Sequence, residues 1–266
     1  MSALTDSMNT IHSLEEMAEA KTIIHRLHPM VKLVTTFLYI ILVVSFDPYN
    51  VTGLVVFLFY PVILMALAEI PYKPLLKRLL VALPFSFFAG ISNIYFNQNV
   101  AFMVGNTPIT YGVISFFSIM IKTVFTVMGV LILIATTPLP QISYQLLVIK
   151  VPKIIVEQIM LTYQYISVLL EQVSNMYTAY ILRAPDAKGI KMKDMGIFVG
   201  QLLLKSFDRA ENIYFAMKCR GYDGHYLYAK PDPMKKSDWI FMLSTCGMLI
   251  LLRFFNLSQF IGSFLQ

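Results

Sequence analysis

Long apolar runs broken by short polar stretches set the pattern of most of this chain. Residues 31–46, 51–68, 79–96, 113–134 and 239–255 are almost uninterruptedly apolar. Each predicts a membrane-crossing helix, the first three at the lower limit of the length that about 30 Å of hydrocarbon demands. The pattern changes over residues 153–183. There Ile159, Tyr163, Ile166, Leu170, Val173, Tyr177 and Tyr180 recur at alternating steps of four and three, beside a polar band of Glu157, Gln164, Glu171 and Asn175. That is the period of an amphipathic helix. A membrane span is the poorer reading, because each acidic group in lipid would cost about 3 kcal/mol. Pro152 opens this helix and Pro185 closes it.

A second amphipathic helix carries Leu203, Phe207, Ala210, Tyr214 and Met217 at the same spacing. Gly221 suits the left-handed cap such a helix needs, and Asp223-Gly224 turns the chain away. The two helices share an ending. Three residues after its last stripe position each has an arginine: Arg183 followed by Ala184, and Arg220 followed by Gly221 and preceded by Cys219. Two equivalent basic tips on one asymmetric chain point to a partner present in two copies.

These elements predict an all-α polytopic membrane protein of about five transmembrane helices, with two long cytoplasmic helices between the fourth and fifth spans. The expected division is a cytoplasmic N-terminal segment over 1–30, four spans over 31–134, the cytoplasmic helices over 135–237, and the last span with the C-terminus over 238–266. Composition agrees: 57% of residues are hydrophobic and 14% charged, against roughly 25% charged in soluble domains. The net charge of +6 gives no reason to invoke nucleic acid, since the basic residues follow the gaps between spans. Lys21, Arg26, Lys32, Lys73, Lys77 and Arg78 mark one side; the turn at 47–50 and the loop at 97–112 have no lysine or arginine. The N-terminus is therefore expected in the cytoplasm and the C-terminus outside. Asp6, Glu15, Glu16 and Glu19 argue against a signal peptide.

Little in the chain favours catalysis. No Gly-rich loop ending in Gly-Lys-Ser/Thr occurs, so ATP is not expected to bind here in the P-loop manner. Asp186, Asp194, Asp208, Asp223 and Asp232 are scattered rather than paired, which weighs against an enzyme acting on lipid phosphates. A stand-alone secondary transporter would call for inverted repeats and broken helices at mid-membrane. Cys219 and Cys246 are the only cysteines, and His12, His25, His28 and His225 all lie outside the spans. These leave no expected metal site in the chain. The sixteen methionines sit mostly singly on apolar helices, as adaptable packing. Lys122 is the one full charge centred in a span. It either meets an intramembrane partner or snorkels to an interface, and the sequence leaves both open.

At Arg209-Ala210-Glu211, Ala216-Met217 and Arg220-Gly221-Tyr222-Asp223-Gly224 the sequence resembles the transmembrane T component of energy-coupling factor (ECF) transporters, in its cobalt-uptake branch. That family carries two Ala-Arg-Gly motifs at the ends of two cytoplasmic coupling helices. Here the second motif has Cys219 in place of alanine, and the first reads Leu182-Arg183-Ala184. His25-Arg26-Leu27-His28-Pro29 with Lys32 resembles the family's entry to its first span; Thr136-Thr137-Pro138 and Val151-Pro152 fall where it has a short connecting helix. The resemblance implies a non-enzymatic subunit of the cell membrane that binds no cofactor itself. Its expected partners are two ATP-binding-cassette ATPases, which bind the ATP, and a substrate-binding membrane subunit, the S component. Arg183, Ala184, Cys219, Arg220 and Gly221 would dock on the ATPases, and the coupling helices would pass their movement to the substrate subunit. Cobalt is the implied cargo, with nickel and vitamins as the alternatives.

Overall fold

Residues 17–18, 20, 22–49, 51–97, 99–104, 107–184, 189–223 and 233–254 are described by the computed structural model. In chain order the helices are α1 (Pro29–Val44), α2 (Val51–Val55), a 3-10 turn (Val56–Leu58), α3 (Phe59–Ala68), α4 (Tyr72–Phe96), α5 (Tyr111–Thr136), α6 (Leu139–Val148), α7 (Lys153–Arg183), α8 (Met192–Cys219) and α9 (Lys236–Phe254). The fold is that of an all-α, multi-pass membrane protein. The loop expected at 97–112 is instead a small antiparallel hairpin of β1 (Val100–Val104) and β2 (Thr107–Thr110), with Val104 opposite Thr107 and Phe102 opposite Ile109. Its run of Val, Ala, Phe, Met and Val is apolar but far too short to span, and pairing satisfies the backbone groups that each strand turns toward the other. Pro185 and Gly224, expected to end the two amphipathic helices, lie outside the described residues, as do His12, His225 and the four N-terminal acidic residues.

The described residues fall into two compact units, one holding 139–223 and the other 17–138 with 233–254. The second is the apolar unit, made of α1, the α2–α3 rod, α4, α5 and α9. Its core gathers Tyr39 and Val43 from α1, Leu54 and Phe57, Tyr60 and Leu64 from α3, Phe125 and Ile132 from α5, and Leu249 from α9. Tyr39 lies flat on Tyr60 with centroids 4.4 Å apart. Pro61 has no N–H to offer the carbonyl of Phe57 four residues back. The Tyr39 hydroxyl donates to that carbonyl instead, at 3.2 Å. The 3-10 turn at Val56–Leu58 sits where the proline loosens the helix ladder.

The cations Lys73, Lys77 and Arg78, expected in a loop, belong to the first turns of α4, which starts at Tyr72. Pro71 occupies its N-cap position and Pro74 its first turn, where a missing N–H costs little. By length and composition α4, α5, α7 and α9 can each cross a membrane. Of these, α7 is the least apolar, and it belongs to the other unit.

Lys122, in the middle of α5, finds acceptors within its own chain. Its Nζ donates to the Val44 carbonyl at 3.3 Å, an orphan of the last turn of α1, and to the Phe46 carbonyl just beyond that helix. Arg253 reinforces the same helix end: Nη2 donates to the Ser45 carbonyl at 3.0 Å, and the guanidinium lies 4.0 Å from the Phe46 ring centroid. Replacing Lys122 by Met should therefore destabilise the apolar unit by about 1 kcal/mol, the scale of polar contacts between membrane helices. Thermal unfolding in detergent checks this; an unchanged transition would mean that the two bonds contribute nothing.

Candidate functional site

The other unit is built around α7 and α8. The turn leading into α7 is tight: Lys150 adopts a left-handed backbone at φ 70°, and Val151 N–H donates back to the Leu146 carbonyl at 3.0 Å. That is a Schellman ending for α6, made by lysine where glycine is usual. α7 then runs for 31 residues and α8 for 28, roughly 45 and 40 Å at the α-helical rise.

The two helices pair antiparallel. The Tyr180 hydroxyl, near the end of α7, donates to Asp194 Oδ2 at 2.7 Å and accepts the Lys191 N–H at 3.3 Å, at the start of α8. At the other extreme Gln158 and Leu161 of α7 share a groove with Ile213 and Met217 of α8. The carboxylate beside Tyr180 raises the pKa of the phenol. A phenol that binds its proton more firmly in the folded state keeps this contact through neutral pH and loses it only above the ordinary phenol range. Tyr180→Phe should speed hydrogen exchange at the Lys191 amide several-fold; unaltered exchange there would show that the contact does not hold the hairpin end.

Antiparallel pairing settles where the two tips lie. Arg183 is the last residue of α7 and stands beside the start of α8, whereas Arg220 follows the last residue of α8. The two arginines are thus at opposite ends of the hairpin, separated by the length of α8, about 40 Å. Both are exposed, and both sit where a cation suits the helix dipole. Gly221 adopts φ +84° with open space around its Cβ position, and Tyr222 N–H donates to the Met217 carbonyl at 3.0 Å. This is the left-handed cap expected from the sequence, and it fixes the direction in which Arg220 leaves the helix. Ala184 caps α7 with φ −133° and ψ 71°, its N–H on the Tyr180 and Ile181 carbonyls. Cys219 is exposed beside Arg220. Lys218 lies 5.5 Å from the Tyr214 ring centroid and stiffens the same last turn.

Two grooves flank the hairpin, and they differ in character. The first, about 440 Å³, is mainly apolar, lined by Leu161, Tyr165, Leu169, Ala210, Ile213 and Met217 among others. The second, about 610 Å³, presents Glu171, Gln172, Asn175, Lys205, Asp208 and Asn212. Val168 and Arg209 line both. The stripe expected on α8 is divided accordingly. Ala210, Tyr214 and Met217 line the apolar groove, but Leu203, 55% exposed, and Phe207, 65% exposed, do not. The row Lys205, Asp208, Arg209, Asn212 escapes a reading of the sequence although it too has helical spacing, because its charges resemble an ordinary solvated face. Among the described residues, no group of three His, Cys, Asp or Glu side chains gathers in the manner of a metal site.

Comparison with known proteins adds a family. A family model described as the cobalt transport protein CbiQ matches residues 20–229. The chain is also similar to an uncharacterized protein of Methanocaldococcus jannaschii, 27% identical, with 91% of this chain and 86% of that protein covered. A second uncharacterized protein of the same organism is 24% identical, over 80% of this chain and 82% of its own length.

Proposed function

This chain belongs to the CbiQ family of cobalt transport proteins, and from that premise we propose that it is the transmembrane energy-coupling subunit of an ATP-driven cobalt importer. The observation that carries the reading is the placement of Arg183 and Arg220 at opposite ends of one antiparallel hairpin. A single cluster of two arginines would serve one acceptor. Two tips about 40 Å apart, each a helix C-terminus with an exposed cation, suit two copies of one partner, each offering an acidic groove. Charge-assisted hydrogen bonds from a guanidinium are strong and directional enough to hold such a joint under load.

In this reading the two partners are ATP-binding-cassette ATPases in the cytoplasm, and they bind and hydrolyse the ATP. Their closure draws the tips together and changes the crossing of α7 and α8. The apolar groove, with exposed Leu203 and Phe207 nearby, takes the membrane subunit that binds the metal, so a change in hairpin geometry tilts that subunit and releases its cargo. The polar groove faces water. The N-terminus is cytoplasmic, and α7 lies along the membrane surface with its Glu157, Gln164, Glu171 and Asn175 band out of lipid.

Co-expression with the two ATPases and the substrate subunit tests this. Affinity purification of this chain should bring down all of them, and the complex in liposomes should take up cobalt only with ATP supplied. Purification of this chain alone from such cells, or uptake without ATPases, would overturn the assignment.

A further inference from the structure

The last turn of α5 is held by groups far away in sequence. Thr136, the final residue of α5, presents a carbonyl that the helix itself leaves without a partner. The Lys32 Nζ donates to it at 2.7 Å and also to the His25 carbonyl at 3.3 Å. His25 acts on the preceding carbonyl: its Nε2 lies 3.3 Å from Ala135 O and 2.9 Å from Met17 O. Two acceptors at Nε2 require the proton there, so Nδ1 accepts from the Thr22 hydroxyl at 2.6 Å. Lys32 is 5% exposed, while Ala135, Thr136 and Thr137 are 0, 2 and 1% exposed.

Burying an ammonium on carbonyls is an expensive way to fill space, since a methionine would pack at least as well. What lysine adds is a directed grip on one helix end. That end matters because of its place in the chain: the boundary between the two compact units falls directly after Pro138. α5 is the apolar-unit helix that leads into α6, α7 and α8. Helix termini fray first, and an unheld last turn would yield when the next segment is pulled.

We propose that Lys32, supported by His25, is a positioning residue for energy coupling: its grip on Thr136 keeps the end of α5 rigid, so that movement of the hairpin reaches the apolar unit instead of being lost in fraying. This rests on the energy-coupling function proposed for the chain, and the test separates the two. The complete complex is reconstituted in liposomes, and cobalt uptake and ATP hydrolysis are measured on one sample for wild type, Lys32→Met and Lys32→Arg. Wild type that assembles without ATPases, or hydrolyses ATP without uptake, overturns the coupling function itself and this inference with it. Given a coupled wild type, Lys32→Met should still assemble and hydrolyse ATP, with uptake per ATP reduced about tenfold, the equivalent of one hydrogen bond to a charged group. Lys32→Arg, which keeps the cation, should recover most of the ratio. An unchanged ratio in Lys32→Met, or uptake and hydrolysis falling in step, would overturn the proposal and leave Lys32 a stabilising contact only. Should Lys32→Met not assemble, Lys32→Gln is compared in its place: its amide stops one bond short of the lysine nitrogen and carries no charge, so it cannot hold the His25 and Thr136 carbonyls as lysine does, and an unchanged ratio there is equally fatal.

Discussion

Reversing both arginines, Arg183→Glu with Arg220→Glu, is expected to abolish association with the ATPases, and each single reversal to weaken it about a hundredfold. The magnitude reflects the interaction removed. Truncating one partner of a buried, hydrogen-bonded charge pair at an interface costs about 2–5 kcal/mol, and reversal adds like-charge repulsion. The two effects should add, because sites so far apart share no contacts. Insertion in the membrane should be untouched, since both side chains are exposed and neither belongs to the apolar unit. Quantitative pull-down against increasing ATPase concentration reads the result. Equal binding by all four proteins would reduce both arginines to ordinary helix ends.

Gly112→Val should have the largest effect on folding. A Cβ at Gly112 would meet Asn93 O at 2.6 Å, Asn97 O at 2.8 Å and Ile94 Cα at 2.9 Å, all of them backbone atoms of α4 or its cap. No rotamer change relieves such a clash, so the α4–α5 seam must open. The Gly112 N–H bond to Asn97 O, 3.0 Å, and the Asn93 Nδ2 bond to Ser115 Oγ, 2.9 Å, both cross that seam. A loss of about 3 kcal/mol or more is expected, seen as a collapse in the yield of monodisperse protein from detergent. Gly247→Ala is the natural contrast. Nothing lies within 4 Å of that position, and alanine in a helix is, if anything, favourable by about 0.5–1 kcal/mol. Equal yields for the two variants would contradict the packing described for the seam.

Much of this architecture is legible in the residue pattern because membrane helices announce themselves by composition, and amphipathic ones by period. Gly221 is readable as a left-handed cap for the same local reason: the residue type states the backbone it permits. The start of α4 is not readable, because Lys73, Lys77 and Arg78 look like a loop until prolines 71 and 74 are seen as helix openers. The hairpin at 100–110 escapes a linear reading, in which neither strand shows its partner. Lys122 is instructive in another way. Its position in α5 is central, yet antiparallel packing brings it level with the end of α1, and no periodicity along one helix can reveal which carbonyls a neighbour leaves open. The opposite placement of Arg183 and Arg220 likewise needs the pairing of α7 with α8, not just their endings.

A photoreactive residue placed at both 183 and 220 in the co-expressed complex reads out whether both ends of the hairpin dock. Two tips on two ATPases predict a cross-linked species containing this chain and two ATPase polypeptides, with one ATPase captured by each singly substituted protein. Capture of ATPase from one position only, or of none from either, would contradict a two-ended coupling hairpin.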